Sequence, residues 1–522
     1  MSFNILKKSD KLFELRNYFK DRDLSIIEFQ MRLLDLAKYE DTPMMEKLNF
    51  LKIIISNLEE FISVRFQELN DAEVNAMIGT LESLYSEIAE VIRAINKVFG
   101  YHDDVDEVYT IIKNQDIKFI YSGESDSSIE NEMNHVESDK TKKCDVALYY
   151  GSDEHNISAD FVINVPKEIL LINKNIDFYK ESLTGCKNLN YPDDLIQYQK
   201  YDYYNELQER DMLFRVPYES YQMILDFIDQ MCTNENITTV FISLYRTAND
   251  SKIIQSLIKA RKLGKRVFVY IEPTARGNET RNIENIQLLR DNDINIQSSF
   301  FNYKVHSKIF CAIDKNYRKF IHIGTGNYNE DTSKFYTDTH LLSSNQISTT
   351  NVLEIFISLF TKNQNINFDD NFYIYSSPLN FRKKFNELIE TEISKGENGR
   401  IFIKCNNLCD CEIIDKLYVA AKAGVQIKII CRTGCSIHVV DNIEIRSKVG
   451  KYLEHDRIYM FGDHVFISSA DLLLRNLSKR VETLCEIKNE NCKRKLCNLM
   501  NELFNDPLIH HMTKDGKWEL KS

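Results

Sequence analysis

No apolar run in this chain approaches the roughly 20 residues that a membrane-spanning helix requires, so a spanning role is not expected. The opening Met1-Ser2-Phe3-Asn4-Ile5-Leu6-Lys7-Lys8 lacks the basic start, apolar middle and small-residue cleavage site of an export signal, and a cytoplasmic location is expected. Positive charge is also short. The formal net charge is −12, whereas a general nucleic-acid or membrane binder is normally basic overall. No nucleic-acid partner is expected, peripheral membrane association is left open, and any phosphate site must rest on a local cluster of Arg and Lys. The 12 cysteines contain no C-x-x-C pair. Cys405, Cys409, Cys411, Cys431 and Cys435 cluster in sequence but match no recognised zinc spacing, and they read as reduced thiols packed as small apolar groups.

At 522 residues the chain exceeds what one core normally holds, about 250–300 residues. Its N-terminal part reads as helical. Leu24, Ile27, Met31 and Leu34 recur at three- and four-residue steps, as do apolar residues across 50–61 and 81–98. Residues 106–205 mix short strand-like pieces, such as Asp145-Val146-Ala147-Leu148-Tyr149-Tyr150, with a polar Ser-, Glu- and Asn-rich segment over 123–143. From about residue 205 strands alternate with helices. Residues 240–245 and 266–271 read as strands flanking a helix over 252–263 that Gly264 stops. Residues 400–404, 411–423, Gly424 and 426–430 repeat that design. Strand–helix–strand order predicts parallel sheets. Gly264 and Gly424 lie 160 positions apart, and His306 and His455 lie 149 apart, so a unit of roughly 150 residues is duplicated. The boundaries expected are 1–105 (helical), 106–205 (α+β middle), 206–370 and 371–522 (two α/β domains).

Two basic-histidine motifs carry the chemistry, Val305-His306-Ser307-Lys308 and Glu454-His455-Asp456-Arg457. In a strand, residues i and i+2 share a face, which would bring His306 beside Lys308 and His455 beside Arg457. A nucleophilic or proton-transferring nitrogen next to a fixed cation suits chemistry on phosphate. Gly324-Thr325-Gly326-Asn327-Tyr328-Asn329 follows the first motif, with glycines small enough for close approach of backbone to a phosphate. Arg246, Arg276 and Arg432 each fall just past a predicted strand end, as a phosphate clamp would require. Tyr336 could stack on a base or simply fill the core.

These motifs, in order with Asp21-Arg22-Asp23-Leu24-Ser25, Ser56-Asn57-Leu58-Glu59-Glu60-Phe61, Arg210-Asp211-Met212-Leu213, Tyr336-Thr337-Asp338 and Ser468-Ser469-Ala470-Asp471, make the sequence similar to the polyphosphate kinases of the histidine-phosphorylated type, relatives of the phospholipase D superfamily. The resemblance implies a helical N-terminal domain, a variable middle domain and two phospholipase-D-like α/β domains sharing one active site. It implies reversible transfer of the terminal phosphate between ATP and polyphosphate, with Mg²⁺, in a dimer or tetramer. His306 then matches the phosphorylated histidine and His455 the second catalytic histidine, with Lys308 and Arg457 offsetting charge. Asn57, Tyr336, Arg432 and His455 match nucleotide contacts, and Arg246 and Arg276 match positions associated with magnesium, through phosphate oxygens.

Two rivals remain at this point. A phospholipase-D-like phosphodiesterase would use the same histidines, but Asp314 stands one position late for H-x-K-x4-D and Arg457 replaces the expected second Lys. A non-catalytic polyphosphate-binding descendant would need the cations but not the nucleophile.

Overall fold

The computed structural model describes residues 22–65, 71–99, 108–113, 116–121, 146–150, 161–165, 169, 198–275, 278–362 and 372–520. The chain divides into two compact units, Ile26–Asp193 and Asp194–Ser522, with Met1–Ser25 grouped with the second. The polar segment 123–143 and Arg276 lie outside the described residues.

The first unit holds the helical pattern read from the sequence: α1 (Arg22–Lys38), α2 (Met44–Arg65) and α3 (Asp71–Phe99). On α3, Leu81, Leu84, Tyr85, Ile88, Ile92 and Ile95 are buried, spaced by three or four residues along one face. Lys38 bonds Glu87 across to α3 at 2.5 Å. A four-stranded sheet follows, ordered β2 (Asp116–Tyr121), β1 (Val108–Lys113), β3 (Val146–Tyr150), β4 (Phe161–Val165), with only the last pairing parallel.

The second unit carries two mixed sheets. Its chain order begins α4 (Tyr203–Glu209), β5 (Met212–Val216), α5 (Gln222–Thr233), β6 (Ile237–Leu244), α6 (Lys252–Lys262), β7 (Arg266–Ile271), α7 (Glu279–Asp291), β8 (Asn295–Gln297), β9 (Lys304–Val305), β10 (Lys308–Asp314), β11 (Lys319–Gly324), β12 (Tyr336–Ser343) and α8 (Gln346–Thr361). It continues β13 (Ile374–Ser377), α9 (Phe381–Ser394), β14 (Arg400–Leu408), α10 (Cys411–Lys422), β15 (Gln426–Cys435), β16 (Ile443–Ser447), β17 (Leu453–Glu454), β18 (Arg457–Phe461), β19 (His464–Ser468), α11 (Leu474–Ser478), β20 (Arg480–Glu486), α12 (Glu490–Phe504), β21 (His510–Met512) and β22 (Trp518–Leu520). Helices α6 and α10 stop where expected, at Gly264 and Gly424, which take φ of +82° and +97° that a side chain would strain.

The parallel expectation holds only in part. β6, β7 and β8 pair parallel, as do β14, β15 and β16, but β10, β11 and β12 join antiparallel. The reason is connection length. β10 and β11 are linked by a tight turn in which Asp314 Oδ1 accepts from the backbone of Asn316 and Arg318, both at 2.8 Å, and so short a link can only reverse the chain. Asp314 is thus a turn residue, further tied to Arg318 and Tyr204.

The two halves exchange strands. β9 of the first half pairs parallel with β20 of the second, and β17 of the second pairs parallel with β12 of the first. They also share a core. On β10, Phe310 and Ala312 pack on the first half's own helices, while Ile309 and Cys311 join Ile458, Met460 and Ile467 of the second sheet together with α8 and α12. A strand buried on both faces explains why Lys308-Ile309-Phe310-Cys311-Ala312-Ile313 reads as continuously apolar after its lysine.

Candidate active site

Both motif histidines lie in the two-residue breaks that separate β9 from β10 and β17 from β18. The backbone at these breaks is held by the opposite half. The N–H groups of His306 and Ser307 donate to Val481 O at 2.9 and 3.0 Å, and that of His455 donates to Thr337 O at 3.2 Å. The i, i+2 pairing expected for regular strands is present, although the residues are not in a continuous strand. Lys308 Nζ stands 3.0 Å from His306 Nδ1, and Arg457 Nη1 stands 3.2 Å from His455 Nε2.

Each ring is oriented by a carboxylate from the other half. His306 Nδ1 is 2.9 Å from Glu482 Oε2 on β20, and His455 Nδ1 is 2.8 Å from Asp338 Oδ1 on β12. Neither acid was assigned a role from sequence alone. A signal was present, since Asp338 and Glu482 lie 144 positions apart, near the repeat of the histidines.

The two pairs differ electrostatically. Burial would raise the Asp338 carboxyl, but His455 and the Thr325 hydroxyl, 2.6 Å away, outweigh it and hold the group below its ordinary range. Burial drives His455 down to about 4. Ionised Asp338 can only accept and Arg457 can only donate, so His455 is a neutral ring with its proton on Nδ1 and its lone pair on Nε2. Arg457 is otherwise committed to Asp471, through Nε and Nη2 at 3.2 and 3.3 Å. At the other pair, burial pushes Glu482 up to about 7, only partly opposed by Lys308, Arg480 and the Ser469 hydroxyl. His306 and Lys308 are both held well below their ordinary ranges, first by burial and then by neighbouring cations. Lys308 also donates to His306 O at 2.5 Å, and its ammonium lies over the ring of Tyr245, whose edge meets His306. With Nδ1 engaged, Nε2 is the nitrogen of His306 left to react.

The remaining expected residues are placed as follows. Tyr336 tilts against His455 with ring centroids 5.1 Å apart. Arg432 is inside β15 rather than after it, and its Nε donates to Asn406 Oδ1 at 2.9 Å. Asn406 in turn donates to His455 O, linking Arg432 to the second histidine. Arg246 follows β6, and its buried Nε has no hydrogen-bond partner among the described residues. Asn57 belongs to the other unit, where its side chain donates to Gln30.

The glycines of Gly324-Thr325-Gly326-Asn327 have a reason the sequence did not show. A Cβ on Gly326 would fall 2.0 Å from Asp338 Oδ2, and one on Gly324 would meet His340 Nδ1 at 3.0 Å and His322 Cε1 at 3.1 Å. Side-chain packing behind the site therefore requires these glycines, whatever approaches from the front. His340 and His322 are themselves buried and joined, His322 Nε2 to His340 Nδ1 at 2.9 Å and His322 Nδ1 to Tyr328 OH at 2.6 Å.

Comparison with known proteins places this geometry. Residues 19–119, 202–365 and 374–522 match the family models for the polyphosphate kinase N-terminal domain, C-terminal domain 1 and C-terminal domain 2. A polyphosphate kinase of Salmonella typhimurium is 35% identical over 319 residues, covering 58% of this chain and 46% of that protein. A polyphosphate kinase of Staphylococcus haemolyticus is 26% identical over an alignment spanning 94% of this chain and 89% of that protein. At the higher identity, the matched part thus spans about half the length of the curated relative. The crystal structure of polyphosphate kinase from Porphyromonas gingivalis shares the fold, with a TM-score of 0.78, 21% identity and coverage of 97% of this chain and 96% of that one.

Proposed function

The chain belongs to the polyphosphate kinase family, and we infer that it transfers the terminal phosphate of ATP reversibly to inorganic polyphosphate through a phosphohistidine on His306. The observation that supports this most directly is the crossed pairing of His306 with Glu482 and of His455 with Asp338. It orients two neutral imidazoles, one of them with Nε2 unpartnered among the described residues.

In the proposed first step the Nε2 lone pair of His306 attacks the γ-phosphorus. The N–P bond forms, the bond from phosphorus to the bridging β,γ-oxygen breaks, and ADP leaves with that electron pair. Glu482 takes up the positive charge that develops on the ring by accepting from Nδ1–H. In the second step a terminal oxygen of polyphosphate attacks the same phosphorus, the N–P bond breaks and the chain lengthens by one unit. His455, with Nε2 as acceptor, receives or returns a proton at the oxygens that change charge, and its Tyr336 and Arg432 neighbours hold the nucleotide. Lys308, beside Nδ1 of His306, and Arg457, whose Nη1 lies against Nε2 of His455, supply positive charge next to the rings.

Among the described residues no three His, Cys, Asp or Glu side chains gather as ligands for a metal ion. The residues at this site therefore do not fit a protein-built magnesium cage, and the cationic Arg246 and Arg276 cannot ligate a hard cation. Their place in this reading is against phosphate oxygens, with Mg²⁺ entering on the nucleotide's own phosphates. A cytoplasmic homo-oligomer is part of the same proposal; no helix among the described residues is long and apolar enough to cross a membrane.

The deciding experiment is incubation with γ-labelled ATP. Acid-labile, base-stable label on His306 and polymer formation are expected, both lost in His306→Ala. Normal polymer formation by that variant, or release of nucleotide from diester substrates in place of transfer, overturns the reading.

A further inference from the structure

The two histidines rest on different foundations. His306 is flanked by Val305 and Ser307, and β20 places Val481 beside them. His455 is flanked by Glu454 and Asp456, both buried. Their carboxylates converge on two cations from opposite halves of the unit. Lys404 of β14 reaches Glu454 Oε2 at 3.0 Å and also bonds Asp456 Oδ1. Arg215 of β5 places Nη2 3.0 Å from Glu454 Oε2 and Nε 3.3 Å from Asp456 Oδ2. Two hydroxyls of β12 complete the group. Thr337 Oγ1 lies 3.2 Å from Glu454 Oε2 and 3.3 Å from Asp456 Oδ1, and Thr339 Oγ1 donates to Asp456 Oδ2 at 3.1 Å.

Strand alternation ties this group to the site. Thr337 and Thr339 point to the four charges, and Asp338 between them points to His455. Glu454 and Asp456 point to the charges, and His455 between them points to Asp338. The histidine–aspartate bond and the buried quartet are thus opposite faces of the same two segments. Stability does not account for such a group, because apolar residues of equal volume commonly hold buried strands as firmly as ion pairs do. Directional, charge-assisted bonds define a register that apolar contacts leave looser.

We propose that Lys404, Glu454, Asp456 and Arg215 form a positioning device for His455, locking β17 against β12 so that Nδ1 stays on Asp338 and Nε2 stays aimed at the reacting phosphate. Among the described residues the half-site of His306 has no such group flanking its histidine. This inference rests on the phosphotransfer reading above.

Two variants test it, Asp456→Asn and the paired Lys404→Met with Asp456→Leu. The pair leaves no unmatched buried ion and keeps Arg215 on Glu454, so it carries the test if Asp456→Asn does not fold. Three readings are taken on protein that unfolds cooperatively: incorporation of labelled phosphate at saturating ATP, the KM for ATP, and the titration of the His455 ring by imidazole NMR. The groups facing that ring are Asp338, Tyr336, Arg457, Arg432, Asp471 and His306, and none is altered. The rate is expected to fall about 10²-fold, the loss typical of a catalytic group misplaced by an ångström, with KM little changed. The titration of the ring should shift, since both its burial and its bond to Asp338 set it. A folded paired variant with native rate and native titration overturns the proposal. So does a lowered rate with unmoved titration, which would mean only less active protein. If the unaltered chain never labels His306, the phosphotransfer reading fails instead, and the NMR comparison still decides whether the quartet holds the ring.

Discussion

Glu482 reaches across from the second half of the unit to put its Oε2 2.9 Å from Nδ1 of His306, and the two side chains are 176 positions apart in the chain. This acid is pushed up to about 7 by burial. It can accept the ring proton only when ionised, so phosphorylation of His306 is expected to rise with pH through about 7 and level above it. Glu482→Gln should flatten that profile and slow labelling roughly 10²- to 10⁴-fold. The stability effect has the opposite sign. A folded-state pKa raised above the usual 4.5 stabilises most at low pH, and this is lost as pH rises towards 7. The Gln variant should therefore be slower yet more resistant to urea at pH 8. A variant with the native pH profile would contradict the assignment.

Gly326→Ala is expected to fail at the site while the fold survives. Its methyl would overlap the Asp338 carboxylate, 2.0 Å away, and the expelled side chain would release His455. A cost of about 1–3 kcal/mol in urea unfolding is expected, as for other overpacked positions. Labelling of His306 and polymer formation should fall together. Gly324→Ala meets only ring atoms at 3.0 Å or more and should be milder. Equal effects would mean that Asp338 is not the critical neighbour.

His340 is buried and held down to about 4, chiefly by burial. Its depressed folded-state pKa contributes stability that is complete above about 6.5 and lost as pH falls towards 4. Between pH 7 and pH 4.5 this one ring should cost about 2–3 kcal/mol. Unfolding His340→Gln in urea at both pH values should show a correspondingly smaller acid loss; an unchanged loss would rule out His340 as a source.

Arg432→Ala should raise the KM for ATP roughly 10- to 100-fold, the value of one or two hydrogen bonds to a charged group, with labelling at saturating ATP far less affected. Asn406 orients this guanidinium and also holds the backbone of His455. Asn406→Ala should therefore affect both KM and kcat, which steady-state kinetics with ATP as varied substrate would separate.

Much of this site was legible along the chain because its chemistry is local. His306 with Lys308, and His455 with Arg457, are i, i+2 pairs whose neighbourhood follows from backbone geometry, and the breaks that interrupt their strands do not disturb it. The stop glycines Gly264 and Gly424 were equally readable, since a positive φ at a helix end is a property of one residue. Other features were not local. Strand direction depended on the tight turn capped by Asp314, which turned an expected parallel sheet into a mixed one. Arg432 was read as lying past a strand end because β15 runs further than its apolar core, to Cys435.

The sequence by itself determined the duplicated α/β design, the helical N-terminal region, the two basic-histidine motifs and the family, because periodicity, spacing and ordered motifs are one-dimensional signals. Only the tertiary structure decided which acid serves which histidine. Each carboxylate comes from the opposite half through strands exchanged between sheets, and its pKa depends on burial that no local pattern records. The same exchange brought Arg215 of the first half onto Glu454 and Asp456, the residues flanking His455. Contacts more than a hundred positions apart are set by packing, so they were absent from the chain as read and decisive once it folded.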